Sequence, residues 1–295
     1  MIVIKQKLES INLLLKKHLQ LTISYGITLL GRHHFKKEDF GIVKLSAYIS
    51  ELDPVFSGYK VVHITDLHLG HWLSVSRLNG VVNLINLQKP DTIAITGDFV
   101  SYVVDEISDD YIKSLSRLKP EEATLAVLGN HDHWLDSKKV RNILKDSRIV
   151  ELKNDAYKIT RKKTHLYFAG VDDSVTKNDR LGKVLNKLPK KGPVILLAHE
   201  PDFADISSKS NRFSFQLSGH SHGGQVVFPH LGPIIRGKGF KKYPLGIYKV
   251  GSMVLYTNPG LGTHIFRLRY NCKPEITVIT LHPAKKGETT KLIKE

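Results

Sequence analysis

The sequence predicts an α/β protein built on a largely parallel sheet, with antiparallel strands completing a second sheet. Two observations carry this. From Tyr59 onward, short apolar, β-branched runs alternate with helical stretches, the pattern of βαβ units. After about residue 225 the runs crowd together without helices between them, as antiparallel strands joined by short turns do. A chain of 295 residues, 41% hydrophobic, is long enough to bury a large core as one large domain or two ordinary ones.

Residues 1–50 differ from the rest. They carry eight Lys/Arg against three acidic residues, with Leu8, Ile11, Leu15 and Leu19 near helical spacing. Two readings stay open: a basic amphipathic helix lying against anionic headgroups at a membrane interface, or a helix packing its stripe on the domain. Residues 19–30 are the most apolar stretch. They fall short of the ~20 residues a span needs, and Gln20, Thr22, Ser24 and Gly26 interrupt them. His33 and His34 beyond them read as solvated. The N-terminus lacks the charge, apolar core and cleavage-site order of a secretory signal, so no translocation is expected. The expected location is cytoplasmic, peripheral on the inner face of the cytoplasmic membrane. The main domain is expected over 51–283, followed by a polar tail, 284–295, that frays.

Within the domain, strands are expected at 60–65, 92–96, 124–128, 165–169, 194–198 and 215–217, with helices at 75–87, 107–118 and 138–145. Later strands are expected at 225–228, 247–249, 254–257 and 276–281. The Gly/Pro-rich stretch 229–246 reads as a long loop, and such loops are often functional. Cys272 stands alone, which excludes a disulfide framework and a thiolate metal cluster and leaves a small packing residue. The net charge of +16 favours anionic partners such as phosphates, nucleic acid or an anionic lipid surface.

Five segments concentrate metal-capable side chains, each just after an expected strand: Asp66-Leu67-His68, Gly97-Asp98, Gly129-Asn130-His131-Asp132, His199, and Gly219-His220-Ser221-His222. Open α/β sheets place their sites at the C-terminal ends of parallel strands, so five distant loops can meet at one edge. Asp, Asn and His offer oxygen and nitrogen ligands without sulfur, a set suited to Mn²⁺, Fe, Zn²⁺ or Mg²⁺. Two carboxylates, one amide and four imidazoles exceed one ion's needs and suffice for two, about 3.5–4 Å apart, if a carboxylate bridges. Each segment alone is a weak signal. The ordered set at strand ends is a strong one.

The ordered set resembles the calcineurin-like metallophosphoesterases, whose pattern D-x-H, G-D, G-N-H-D/E, H, G-H-x-H is present in full between about Tyr59 and Leu281. The stretches LAVLGNHDHW, LLAHEPD, LSGHSHGGQV and LYTNPGLGTHIFRLRYNCKPEITVITL are similar to the bacterial YaeI/YkuE-like branch, which includes a UDP-2,3-diacylglucosamine pyrophosphatase of lipid A biosynthesis. The resemblance implies a four-layer α/β/β/α sandwich of two mixed sheets. It implies two divalent cations, manganese first, with magnesium, iron or zinc as alternatives. Asp66, His68 and His222 would hold the first, Asn130, His199 and His220 the second, and Asp98 would bridge them. His131 would contact the phosphate and protonate the leaving group, with Asp132 orienting it. The implied activity is hydrolysis of a phosphate ester or pyrophosphate by a hydroxide that the two cations activate.

Among the remaining residues, Gln225 and Asn258 are candidates for phosphate or ribose contacts. Arg236, Lys238, Lys241 and Lys242 are candidates to clamp a pyrophosphate or meet headgroups, and a merely solvated charged loop fits them equally. His133, Trp134 and His71 either edge the cleft or pack elsewhere, and Asp172-Asp173 reads as a polar turn. Three functional readings compete. The first is conversion of UDP-2,3-diacylglucosamine to UMP and 2,3-diacylglucosamine 1-phosphate, a nucleotide-linked lipid substrate met at an anionic membrane surface. The second is a soluble broad-specificity phosphodiesterase or nuclease. No interleaved basic and aromatic pattern marks a nucleic-acid groove, and no specific nucleic-acid partner is expected. The third is a degenerate, non-enzymatic scaffold, which should have lost ligands; none is lost here.

Overall fold

In the computed structural model, which describes residues 35–101, 109–233, 237–264 and 267–295, the apolar runs become strands buried on both faces. The basic stripe before residue 20, the apolar stretch 19–30, His33, His34 and Arg236 lie outside the described residues. Strands β1 (Gly41–Ile49), β2 (Tyr59–Ile64), β3 (Thr92–Thr96), β4 (Ala123–Val127) and β5 (Val150–Glu151) enter one sheet. Strands β6 (Asp155–Arg161), β7 (Thr164–Gly170), β8 (Val194–Leu197) and β9 (Phe215–Ser218) enter a second. A ribbon of β10 (Val227–Phe228) and β11 (Gly232–Pro233) follows. Strands β12 (Gly246–Val250) and β13 (Met253–Thr257) finish the second sheet, while β14 (Glu275–Pro283) and β15 (Lys291–Lys294) return to the first. The sheet orders are β15-β1-β14-β2-β3-β4-β5 and β12-β13-β9-β8-β7-β6.

Both sheets are mixed. Strands β2 to β5 run parallel, as do β7, β8, β9 and β13; antiparallel pairing joins β14 to β2 within the first sheet, β15 to β1 at its edge, and β12 and β6 at the edges of the second. Because side chains alternate along a strand, each central strand feeds two cores. Val61, Ala94, Leu125 and Val127 meet Ile195, Leu197, Phe215 and Leu217 between the sheets. Val62, Ile64, Ile93 and Ile95 point the other way. They bury Leu78, Val81 and Ile85 of helix α1 (Val75–Leu87), Tyr111 and Leu115 of α2 (Asp109–Leu115), and further apolar groups after β4. On the outer face of the second sheet, Val194, Leu196 and Leu255 pack with Val184, Phe203 and Ala204. Three apolar layers between four layers of structure make the α/β/β/α sandwich, with facing sheets sharing the middle core.

Two expectations change. The late strands do not simply add antiparallel neighbours to the second sheet: β13 pairs parallel to β9, and β14 inserts between β1 and β2 of the first. The reason is burial. Ile276 and Val278 face the helix layer while Ile279 and Leu281 face the middle core, so β14 needs cover on both sides and takes a central place. The sheet also extends past both ends of the 51–283 span, since β1 pairs along its whole length with β14, and β15, within the tail expected to fray, pairs with β1. Among the described residues, no helix is long and apolar enough to cross a membrane.

Candidate metal centre

The loops after β2, β3, β4, β8 and β9 meet at one edge of the sandwich and bring the five ligand-bearing segments together. Asp66, His68 and His222 form one buried triad whose ligand atoms lie within 4.8 Å of one another; Asp98, His199 and His220 form a second. In the first, His68 Nε2 lies 3.0 Å from His222 Nε2, and Asp66 Oδ1 lies 3.4 Å from His222 Nε2 and 4.0 Å from His68 Nε2. In the second, His220 Nδ1 is 3.0 Å from His199 Nε2, which is 3.3 Å from Asp98 Oδ2. That same Asp98 oxygen is 3.6 Å from His68 Nε2, so it faces both triads. With metal–ligand bonds of about 2.0–2.2 Å, neighbouring ligands stand about 3.0–3.5 Å apart and opposite ones about 4.2 Å, so these spacings suit cations.

The backbone is forced into position. Asp66, His68, Asp98, His220 and His222 all adopt left-handed φ between 44° and 67°, a conformation costing a non-glycine residue about 1–2 kcal/mol. Each turn aims a side chain inward over a very short stretch of chain. Close approach also needs two glycines: a Cβ on Gly129 would sit 2.3 Å from Asp98 Oδ1, and one on Gly219 would sit 2.3 Å from Asp66 Oδ2.

Surrounding groups assign each ligand atom. Asp66 Oδ2 accepts hydrogen bonds from the Thr65 hydroxyl (2.8 Å) and the His220 N–H (2.9 Å), while Oδ1 has no partner. Asn130 Oδ1 is likewise buried and unpartnered. An unmatched buried oxygen costs about 1–3 kcal/mol, and both are oxygens a cation would satisfy, so the residues present fit two divalent cations. His199 Nδ1 donates to the Thr96 carbonyl at 2.6 Å and His220 Nε2 to the Lys238 carbonyl at 2.8 Å, leaving the opposite nitrogen of each ring as the ligand atom.

Electrostatics follow from this packing. Burial holds His68 and His222 well below the usual imidazole range and lowers His220 to about 4, keeping them neutral as metal ligation requires. Burial pushes Asp66 up to about 6, against the pull of His199. Burial opposes charge on Asp98 and His199 as well, but their mutual attraction outweighs it: the carboxyl is held well below its usual range and the imidazole well above. A cation held by this triad would take the unprotonated Nε2 of His199.

His131 is the second residue of helix α3 (Asn130–Leu135). Its N–H donates to Asp98 Oδ1 at 3.0 Å, and its ring Nδ1 donates to the Ser101 carbonyl at 2.8 Å. Asp132 does not touch that ring. Its two oxygens accept from the N–H groups of Phe99 (2.9 Å), Val100 (3.2 Å) and Gly129 (2.9 Å). It therefore positions His131 indirectly, by pinning the loop that carries the Ser101 carbonyl, rather than by orienting the ring itself.

The other residues singled out in the sequence take varied positions. Gln225 is fully buried, its amide bonded to the Leu268 carbonyl (3.0 Å) and the His264 N–H (2.7 Å). Asn258 is equally buried, bonded to the Thr277 hydroxyl and the Gly260 N–H, both at 2.7 Å. Both brace loops. Lys242 pairs with Asp205, and the N–H groups of Lys241 and Lys242 are taken by Asp202; the side chains of Lys238 and Lys241 are exposed. His133 turns away to Asp172 at 2.6 Å. His71 is buried against Thr263, whereas Trp134 is 54% exposed with its ring 5.0 Å from that of His131, at the cleft edge. Cys272 is buried beneath His222, 3.3 Å from its carbonyl.

Two residues carried no signal in the ligand pattern. The His264 ring lies 4.9 Å from His131, 5.9 Å from His222 and 6.0 Å from His68. Arg269 donates to the carbonyls of Gly262 (2.6 Å) and Pro259 (2.8 Å) and holds that loop. The run Pro259-Gly260-Leu261-Gly262 hinted at a constrained loop but not at what it approaches.

Comparison with known proteins agrees with this geometry. Residues 59–224 match the calcineurin-like phosphoesterase family. The chain is 35% identical over 234 residues to YkuE of Bacillus subtilis (strain 168), described as an uncharacterized metallophosphoesterase, spanning 77% of this chain and 80% of that one. It is 29% identical over 230 residues to the phosphodiesterase YaeI of Escherichia coli (strain K12), spanning 76% and 82%.

Proposed function

Since the chain belongs to the calcineurin-like phosphoesterase family and is a binuclear metallophosphoesterase, we propose that it hydrolyses a phosphodiester or pyrophosphate through the two triads that share Asp98. One observation carries the proposal: Asp98 Oδ2 faces His68 and His199 at once, while Asp98 Oδ1 fixes the backbone of His131. Chemistry held by the triads and chemistry at His131 are thereby tied to one carboxylate.

Asp66, His68 and His222 would hold one cation, Asn130, His199 and His220 the other, and Asp98 would serve both. When bound, two divalent cations supply a nucleophile at neutral pH and offset the charge of the phosphate. The chain's own residues do the rest. The carbonyls of Thr96 and Lys238 keep His199 and His220 in the ligating tautomer. The Ser101 carbonyl commits Nδ1 of His131, so proton transfer to the departing oxygen falls to its Nε2. Neutral His68, His220 and His222 need lose no proton on loading.

The finer reading is a nucleotide-linked lipid, UDP-2,3-diacylglucosamine cleaved to UMP and 2,3-diacylglucosamine 1-phosphate at the inner membrane surface. Its supports are the likeness in sequence already described, the net charge of +16 and the exposed apolar groups Phe228, Leu231, Leu268 and Tyr270 on the segments that follow His222. Manganese is the cation proposed. The likeness to the phosphodiesterase YaeI favours a second reading, a broader phosphodiesterase.

Turnover of UDP-2,3-diacylglucosamine and bis(p-nitrophenyl) phosphate, with and without Mn²⁺, separates them. Preference for the lipid nucleotide supports the first, and equal or better turnover of the generic diester supports the second. His131→Ala should keep its metal and lose about 10²–10⁴-fold in rate, the usual worth of general acid catalysis. An unimpaired rate would remove His131 from the mechanism.

A further inference from the structure

We propose that His264 is a second imidazole at the scissile phosphate, donating to a phosphoryl oxygen beside His131. The proposal rests on the phosphoesterase reading above and adds a residue to it. The His264 ring meets His131 edge to face at 4.9 Å and lies nearly parallel to His222 and His68, at interplanar angles of 15° and 26°. It thus stands over the first triad, on the side where His131 works. Two imidazoles this close address the same phosphate. The residue is half-buried and belongs to no apolar cluster.

What singles it out is how firmly its backbone is held to the metal centre. Leu261 N–H donates to the Thr65 carbonyl at 3.0 Å and Gly262 N–H to the Asp66 carbonyl at 2.7 Å. Arg269 grips the Gly262 carbonyl through Nε (2.9 Å) and Nη2 (2.6 Å). The His71 ring meets the Thr263 hydroxyl at 3.1 Å, and Gln225 Oε1 accepts the His264 N–H itself at 2.7 Å. Buried Gln225 and the Nδ1 edge of the His71 ring thus both brace this loop. Such rigid support is what a binding group needs to reach its target without further ordering cost. The arrangement also accounts for the burial of Gln225, whose own N–H donates to the His222 carbonyl at 2.8 Å.

The test compares the full chain with His264→Ala and His264→Gln, each loaded with Mn²⁺. Three quantities are measured: bound metal by elemental analysis, the affinity for inorganic phosphate by calorimetry, and kcat and KM on bis(p-nitrophenyl) phosphate. The expected result is unchanged metal content, with phosphate binding weakened about 10- to 100-fold in the alanine variant, the worth of one hydrogen bond to a charged group. The glutamine variant, which keeps a donor, should recover part of that loss. Unchanged phosphate affinity, or loss of metal in both variants, overturns the assignment of His264. A wild-type chain that neither hydrolyses the diester nor binds phosphate overturns the phosphoesterase reading itself, a distinct outcome.

Discussion

Replacing Gly219 by alanine probes how tightly the first triad is built. The added Cβ would lie 2.1 Å from Thr65 Oγ1, 2.3 Å from Asp66 Oδ2 and 2.6 Å from Thr65 Cγ2. Thr65 and Asp66 are both fully buried, so neither can swing aside into solvent. Relief requires turning the Asp66 carboxylate or pushing the His220 segment outward. Either move breaks the bonds from Thr65 (2.8 Å) or His220 N–H (2.9 Å) that hold Oδ2. Overpacking costs about 1–3 kcal/mol in stability. Loss of one hydrogen bond to a charged group adds about 1.5–3 kcal/mol, which read as metal affinity is about 10- to 150-fold. Calorimetric titration of the chelator-stripped protein with Mn²⁺ measures the second term, and thermal unfolding of the stripped protein measures the first. A Gly219→Ala variant with wild-type Mn²⁺ affinity and an unchanged Tm would show that the carboxylate is not held as described.

Asp132→Ala should destabilise the stripped protein, because it leaves the N–H groups of Phe99, Val100 and Gly129 unmatched inside the fold at about 1–3 kcal/mol each; urea unfolding checks this, and a loss of rate without loss of stability would return Asp132 to a direct catalytic role. His63 is fully buried, its Nε2 2.8 Å from Thr96 Oγ1, and burial lowers it to about 3. Between that value and the ordinary imidazole value of about 6.5, the unfolded chain binds a proton the folded chain refuses, so its contribution is present above about 6.5 and is lost as pH falls, by at most about 1.4 kcal/mol per pH unit. His63→Gln should flatten the acid side of the stability–pH curve by that slope, as read from urea midpoints between pH 4 and 6; an unaltered slope would refute it.

Much of the site was legible because its ligands lie in short segments directly after strands, and the strands announce themselves by burial on both faces. Position in the chain then substitutes for position in space. The parts that escaped have no such signature. Strand β1 alternates Leu45, Ala47 and Ile49 into the middle core, yet it follows the basic run at Lys36 and Lys37 and is itself interrupted by Lys44, and that charge hid the alternation. Strand β6 buries only Ile159, so a polar edge strand read as loop. The role of Asp132 depends on backbone N–H groups of Phe99 and Val100, more than thirty residues away, and backbone donors leave no trace in residue type. Gln225 and Asn258 looked like substrate groups because amides beside a motif often are. Their burial follows from loop bracing, which only the folded chain reveals. His264 was missed for the same reason: Leu261 and Gly262 reach Thr65 and Asp66 through main-chain bonds alone.

If Asp98 faces both triads as the geometry has it, two divalent cations should bind together. The most direct measurement is equilibrium dialysis of the stripped protein against Mn²⁺, followed by elemental analysis of wild type and Asp98→Ala. Wild type should bind two ions per chain, and the variant should bind both more weakly. A wild-type chain that saturates with a single ion, or an Asp98→Ala variant that still takes up two with undiminished affinity, would contradict it.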